Sequence, residues 1–550
     1  MKTQSRINNH KSVVLAASAL SLLFFLYYFR RGEILLYGDA VAHINIARRV
    51  FDSQTPGLLQ LGTVWLPLPH LLVVPFVWPD SMWQSGIGGS IPSMIAYVFA
   101  VIGIFRLTLM LLQSSEQTRS MAGRGAWMAA LAFAVNPNLL YVQTTALTES
   151  LYLASFVWAV FHFVAWLRRA SMTDPAEPQD AGHGALWKCA ACLAGAELTR
   201  YDAWFLAAAI GAAAALVTLR RWSDRTLRTA FLKFALAIAA APALWLAYNA
   251  AVYSDPLEFA RGPYSAKAIE LRTAKPGYAG HPGSGNLAVA ASFFLKSGQL
   301  NMALGSWGRV WVLIALLGLI LALRAIPFGW VLLLLCVPMV FYAISIAYGG
   351  VPLFLPTWWP FTWYNIRYGL QLLPLFAVAS GIVLAWVGAQ FTRSRLRCAA
   401  WALVVFAGIC YVFIWRAQPL CFTEAWVNSR TKLALESSVA KVVGSFPRDS
   451  RYLMYVGGHV GVFQQSGVPL RQVINEGNHR PWKKPSDPEG LWERALAQPA
   501  QFVDVVITYE GDAADAQVNK QGLQLLTEIH TLGQPAARIY LTHRAANQSR

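Results

Sequence analysis

The sequence predicts an α-helical polytopic membrane protein of about eleven transmembrane helices, with a C-terminal α/β domain outside the membrane. Two observations predict it. Hydrophobic residues make up 56% of the 550 positions and charged residues only 13%, at a mean hydropathy of +0.42, which is too apolar for a soluble chain of this length. The apolar residues also fall in runs near the length of about 20 that a helix needs to cross a bilayer.

Eleven such runs lie before residue 417, near 12–29, 91–112, 125–142, 147–167, 186–199, 203–219, 229–252, 309–323, 329–348, 368–388 and 398–415. The first has a basic prelude (Lys2, Arg6, Lys11) but is followed by Arg30-Arg31 with no small-residue cleavage pattern, so it reads as a retained signal anchor. Cationic residues stay on the cytoplasmic side during insertion. With the N-terminus inside, the cytoplasmic loops carry Arg119 and Arg124, Arg168 and Arg169, Arg220 to Arg228, Arg324, and Arg393 to Arg397. Arg30, Arg31, Arg48 and Arg49 run against that trend. An odd number of spans leaves the C-terminal segment on the outer side of what reads as a bacterial inner membrane.

A net charge of +18 invites a nucleic-acid partner, and its distribution rejects one. From residue 417 onward there are 14 Lys/Arg and 12 Asp/Glu, so +16 belongs to the membrane part, where it serves topology and lipid-headgroup contact. The six cysteines, most of them in or beside spans, imply neither a disulfide framework nor a zinc site.

The predicted organisation is a transmembrane domain over 1–416, containing a first outer loop at 30–90 and a lid-like outer loop at 253–306, followed by a soluble domain over 417–550. In the first outer loop Ala40, Ile44, Ala47 and Phe51 share one helical face, with Asn45, Arg48, Arg49 and Asp52 mostly on another. That pattern predicts an amphipathic helix in the membrane interface. The helix starts at Gly38-Asp39, where Asp serves ordinarily as an N-cap. A carboxylate held at a membrane surface is equally a candidate catalytic base. His43, one turn on and on the same face as Asp39, can share a proton or a metal with it. The segment 63–70 is apolar but broken by Pro67 and Pro69, hence re-entrant or interfacial.

Three further charges stand at outer helix ends. Glu149 opens the fourth span, where the helix dipole favours an acid, although a carboxylate at membrane depth is also a functional candidate. Arg200 follows Glu197 by three residues and can simply pair with it, or its planar fork can grip a phosphate. Arg367, at the start of the tenth span, either snorkels to the interface or does the same. The loop 253–306 begins with Asp255-Pro256, a helix stop, and has a Gly/Pro-rich centre at 275–285. It is a connector, or a lid whose Lys267, Arg272 and Lys275 suit a phosphate.

The tail alternates strands (451–456, 470–474, 503–508, 538–541) with helices (430–443, 459–466, 491–497), predicting an open α/β sheet. Gly457-Gly458-His459-Val460-Gly461 is a glycine turn after a strand that lacks the spacing of a dinucleotide fingerprint. The polar stretch 475–480 is an ordinary surface loop or an acceptor-recognition loop.

Several pieces occur in a shared order over residues 12 to 415: Tyr37-Gly38-Asp39, Leu147-Thr148-Glu149-Ser150-Leu151-Tyr152, Leu198-Thr199-Arg200, Tyr248-Asn249 with Asp255-Pro256-Leu257, and Arg367-Tyr368 followed by Leu373-Pro374-Leu375. In these the chain resembles the GT-C superfamily of membrane glycosyltransferases, which includes protein mannosyltransferases and aminoarabinose transferases. The resemblance implies an inverting enzyme that passes a sugar from a polyprenyl-phosphate carrier to a glycan, lipid or protein acceptor at the outer face. It implies Asp39 as the base, Arg200 and Arg367 as holders of the lipid phosphate, and Glu149 as orienting substrate or a divalent ion. Many relatives carry two adjacent acids in the first loop, whereas here Asp39 is followed by Ala40, so a metal at Asp39 or Glu149 stays open and no cofactor is fixed. A transporter of lipid-linked sugars would be expected to show internal repeats and charges near the midplane. A non-catalytic receptor or scaffold using the tail would not need Asp39, Glu149, Arg200 and Arg367 together.

Overall fold

The structure, a computed structural model, describes residues 2–170, 180–263, 265–273, 280–390, 394–478 and 488–542. Two compact units emerge. The first comprises residues 1–31, 93–245 and 260–424; the second comprises 32–92, 246–259 and 425–550.

Among the described residues, nine helices are long and apolar enough to cross a membrane, as in a multi-pass integral membrane protein. The expected count of eleven is not reproduced, and two segments account for it. The run 125–142 is broken into the helices Ala122–Ala134 and Pro137–Val142. Pro137 cannot continue the preceding helix, and Asn136 restarts the chain by accepting hydrogen bonds from the backbone N–H groups of Asn138 and Leu139, both at 3.1 Å. The run 186–199 belongs to the helix Asp180–Glu197, which carries Asp180, Lys188 and Glu197 and so is less apolar than a free span requires.

Within the first unit, the helix Leu373–Gln390 packs against Ala122–Ala134 and Trp307–Ala325. Small residues allow this. A Cβ on Gly125 would lie 2.6 Å from the carbonyl oxygen of Gly381, and one on Gly318 would lie 2.6 Å from Cβ of Ala379, so these helices approach backbone to backbone in the manner of membrane bundles. The expected outer loop 253–306 is partly helical. The helix Arg225–Tyr253 stops where predicted, and Oδ1 of Asp255 accepts from the Leu257 N–H at 2.9 Å. Beyond it lies Leu287–Met302, 16 residues of largely apolar helix, too short to span and missed for that reason.

The second unit contains a five-stranded sheet: β1 Tyr452–Met454, β2 Val473–Ile474, β3 Val505–Tyr509, β4 Gln524–Ile529 and β5 Ala537–Leu541, in the order β2-β1-β3-β5-β4. β1 is parallel to both β2 and β3, with Leu453 opposite Ile474 and Val506, while β5 is antiparallel to β3 and β4. Leu453, Ile474 and Val506 face Trp492, Leu496, Val503 and Val518 in one core layer. On the opposite face the Tyr452 ring lies tilted against Phe463, with centres 5.5 Å apart, and its hydroxyl donates to the Val443 carbonyl at 3.3 Å. β4 was not predicted, because Leu525 and Leu526 are both exposed and its sequence carries no alternation.

The helix Gly38–Arg49 forms as predicted, but its polar side is not at an interface. Asn45, Arg48 and Asp52 are buried. Nδ2 of Asn45 donates to Gln464 at 2.8 Å, and Nε of Arg48 donates to Asp52 at 2.8 Å while Nη1 donates to the carbonyls of Val77 and Trp78. Polar partners supplied by the same unit thus replace water on the face that the sequence pattern assigns to solvent.

Candidate functional site

Three of the sequence candidates meet inside the first unit. Glu149 begins the helix Glu149–Ala170, Arg200 lies in the turn before Asp202–Leu219, and Arg367 lies in the 3-10 turn Ile366–Leu372. Oε1 of Glu149 accepts from Nη1 of Arg200 at 3.3 Å and from Nε of Arg367 at 3.1 Å. Arg200 also donates to the Thr148 hydroxyl at 3.0 Å and the Tyr342 hydroxyl at 2.6 Å, and its guanidinium lies 4.6 Å from the Tyr368 ring centre. Its carboxylate partners are Glu149 and Asp202, not Glu197.

Arg367 does not snorkel. Its side chain is 5% exposed, clamped between Glu149 and a residue the sequence reading missed, Glu424. Glu424 accepts from the Asn365 and Ile366 backbone N–H groups at 2.9 and 2.8 Å and from Nη1 of Arg367 at 3.2 Å. Its signal was a single acid in the apolar stretch Leu420 to Val427. Among the described residues the cluster therefore holds two guanidiniums and three carboxyls, and Oε2 of Glu149 has no hydrogen-bond partner.

Asp39 and His43 belong to the second unit. Asp39 is half-buried and is not the cap, because that position is Tyr37, which makes no side-chain cap bond. Asp39 sits instead in the first turn, where the helix dipole favours its charge. Nδ1 of His43 lies 2.7 Å from Nε2 of His70, and both rings are buried beside Trp65. Burial, then the neighbouring His43 ring, holds His70 well below the usual imidazole range. His70 was legible only as part of an apolar, proline-broken segment.

Lys267 is engaged locally. In the helix Ala266–Thr273 its Nζ lies 3.2 Å from Glu270, one turn along, and 5.8 Å from the Tyr348 ring centre. Lys275, much of the Gly/Pro-rich centre, and His479 and Arg480 lie outside the described residues, as does the side chain of Arg272.

No family model matches the chain, and no curated protein matches it in sequence. Solved structures do match it. ArnT from Cupriavidus metallidurans bound to undecaprenyl phosphate superposes with a TM-score of 0.54 at 12% identity, over 96% of this chain and 97% of that one. The apo state of the same protein gives 0.51 at 11% identity, over 99% of both chains. The chain shares the fold of these ArnT structures. An archaeal oligosaccharyltransferase, AglB from Archaeoglobus fulgidus, is more distant, at a TM-score of 0.47 and 12% identity over 91% of this chain.

The surroundings of Glu149 do not fit a divalent ion. Among the described residues no group of three or more His, Cys, Asp or Glu side chains is placed to hold one. Glu149 faces two guanidiniums, which repel a cation from the carboxylate expected to bind it.

Proposed function

We propose that this protein is an inverting glycosyltransferase that moves a sugar from a polyprenyl-phosphate carrier to an acceptor hydroxyl at the outer face of the membrane. A structure sharing its fold holds undecaprenyl phosphate. The observation that carries the reading is the pair of preordered guanidiniums, Arg200 and Arg367, around Glu149 at the ends of apolar helices. Both are held in place by carboxylates of the protein, Arg200 by Glu149 and Asp202 and Arg367 by Glu149 and Glu424, so a phosphate would meet donors whose geometry is already set.

In this reading the acceptor oxygen attacks the anomeric carbon on the face opposite the phosphate. The bond from that carbon to the phosphate oxygen breaks, the phosphate keeps the electron pair, and Asp39 takes the proton of the acceptor hydroxyl. General-base help of this kind contributes about 10² to 10⁴-fold. Arg200, the more exposed of the two at 13% against 5%, meets the phosphate and stabilises its growing charge. Arg367, held by Glu424, fixes Glu149, whose second oxygen is left to orient substrate. The N-terminus is cytoplasmic, and the sheet-bearing segment lies outside a bacterial inner membrane, as the distribution of Lys and Arg over the loops favours.

The test is reconstitution of the protein with a polyprenyl-phosphate sugar. Asp39→Asn should abolish transfer while leaving expression and carrier binding intact; full activity in that variant would remove Asp39 from the reaction.

A further inference from the structure

The glycine turn after β1 has no role in the chemistry above, yet it lies at a special point of the sheet. The chain runs from β1 to β2 on one side and then to β3 on the other, with all three strands parallel. The crevice beyond the carboxyl ends of β1 and β3 is thus a topological switch point, where open α/β sheets bind ligands. His459, five residues past β1, stacks on Tyr509, the last residue of β3, with ring centres 3.8 Å apart.

The helix Leu420–Val443 sends two more groups there. Nδ1 of His459 lies 3.7 Å from Oε1 of Glu436, and Nζ of Lys432 lies 3.9 Å from the same oxygen. Among the described residues neither Oε1 of Glu436 nor Nδ1 of His459, both buried, has a hydrogen-bond partner, an arrangement that costs free energy unless something fills it. Gly461 is required here, since a Cβ on it would lie 2.5 Å from Oε2 of Glu436. Lys432 then leads to the proposed base: its Nζ lies 3.7 Å from the point a Cβ on Gly38 would occupy, next to Asp39.

We propose that Lys432, Glu436 and His459 bind a neutral sugar of the acceptor and present its hydroxyls beside Asp39. The proposal rests on the transferase reading for Asp39 and on the geometry alone for the binding. A ligand spanning these groups must donate to a carboxylate and accept from an ammonium at once. A hydroxyl does both, whereas an anion meets Glu436 and an amine meets Lys432. His459 completes the set as a neutral ring, since burial, then Lys432, lowers it to about 4. The Tyr509 ring holds that imidazole in place, and among the described residues nothing lies within 4 Å of the point a Cβ on Gly458 would occupy.

The experiment is saturation-transfer NMR on the full-length protein in a sugar-free detergent. The probes are methyl glucopyranoside and methyl galactopyranoside, against glucuronate, glucosamine and inorganic phosphate. A neutral methyl glycoside should bind in preference to all three charged probes, and Lys432→Met and Glu436→Gln should each weaken it about tenfold, one lost hydrogen bond to a charged group. Lys432 is 27% exposed, so its variant tests the site without touching a core. Tighter binding of phosphate or glucuronate, unchanged binding in both variants, or no glycoside binding by the wild type overturns the proposal. The two readings fail separately. If Asp39→Asn retains transfer, the assigned base falls while glycoside binding still reports on the cluster. If Asp39→Asn abolishes transfer but Lys432→Met leaves both glycoside binding and acceptor KM unchanged, the sugar site falls alone.

Discussion

Oε1 of Glu149 lies 3.1 Å from Nε of Arg367, a contact between residues 218 positions apart and both almost fully buried. Because the same oxygen also meets Arg200 at 3.3 Å, one carboxylate organises two cations. Removing one partner of such a buried set leaves uncompensated charge and costs about 3–5 kcal/mol. Glu149→Ala should therefore unfold well below the wild type, whereas Glu149→Gln, which can still accept from Arg367, should lose less. Thermal unfolding followed by size-exclusion chromatography in detergent checks this, and a Glu149→Ala protein as stable as wild type would show that the network contributes nothing.

Arg200→Lys keeps the charge but loses the planar fork that reaches Thr148, Glu149 and Tyr342 together. Under the proposed role it should weaken polyprenyl-phosphate binding about tenfold, the loss of roughly one charge-assisted hydrogen bond. Native mass spectrometry with graded carrier reads the affinity directly. Equal carrier affinity in the variant would move the phosphate away from Arg200.

Much of this arrangement was legible in the chain. Glu149, Arg200 and Arg367 stood out because charges are expensive beside apolar runs, and their order with the Tyr37-Gly38-Asp39 segment pointed to the fold that the ArnT structures share with this chain. Local rules set their environment wrongly. Spacing pairs Arg200 with Glu197, but tertiary packing turns it to Glu149 and Asp202. Glu424 and His70 were illegible because each acquires meaning only from a distant partner, Arg367 and His43 respectively. Amphipathic periodicity found the helix Gly38–Arg49, yet periodicity cannot tell a face that meets water from one that meets buried polar groups.

Acid should destabilise the second unit through its neutral histidines. His459 is lowered to about 4 and His70 lies well below the usual value, so the unfolded chain binds protons that the folded chain refuses. Stability is then fully present above the unfolded value near 6.5 and is lost as pH falls toward 4. The slope is up to about 1.4 kcal/mol per pH unit for each ring. Thermal unfolding between pH 7 and 4 measures it, and His459→Gln should flatten the curve by one ring's share. An unchanged slope in that variant would mean that His459 is charged in the folded protein.

Asp52 offers a direct check on the buried polar face of the helix Gly38–Arg49. Its side chain, 2% exposed, accepts from Nε of Arg48 at 2.8 Å and from the Leu470 and Arg471 backbone N–H groups at 3.3 and 3.1 Å. An aspartate on a membrane-surface helix would contribute almost nothing, and Asp52→Ala would be silent. Here the change leaves two backbone donors without their acceptor and takes one of two carboxylates from Arg48, which keeps Asp80 at 2.5 Å and the Val77 and Trp78 carbonyls, so the expected cost is about 1–3 kcal/mol. Arg471 approaches the same carboxylate at 3.3 Å but is 65% exposed, and an exposed partner is worth under about 1 kcal/mol. Arg471→Ala should accordingly be nearly neutral. Thermal unfolding of the two variants side by side decides the matter, since a silent Asp52→Ala would return this helix to the interface.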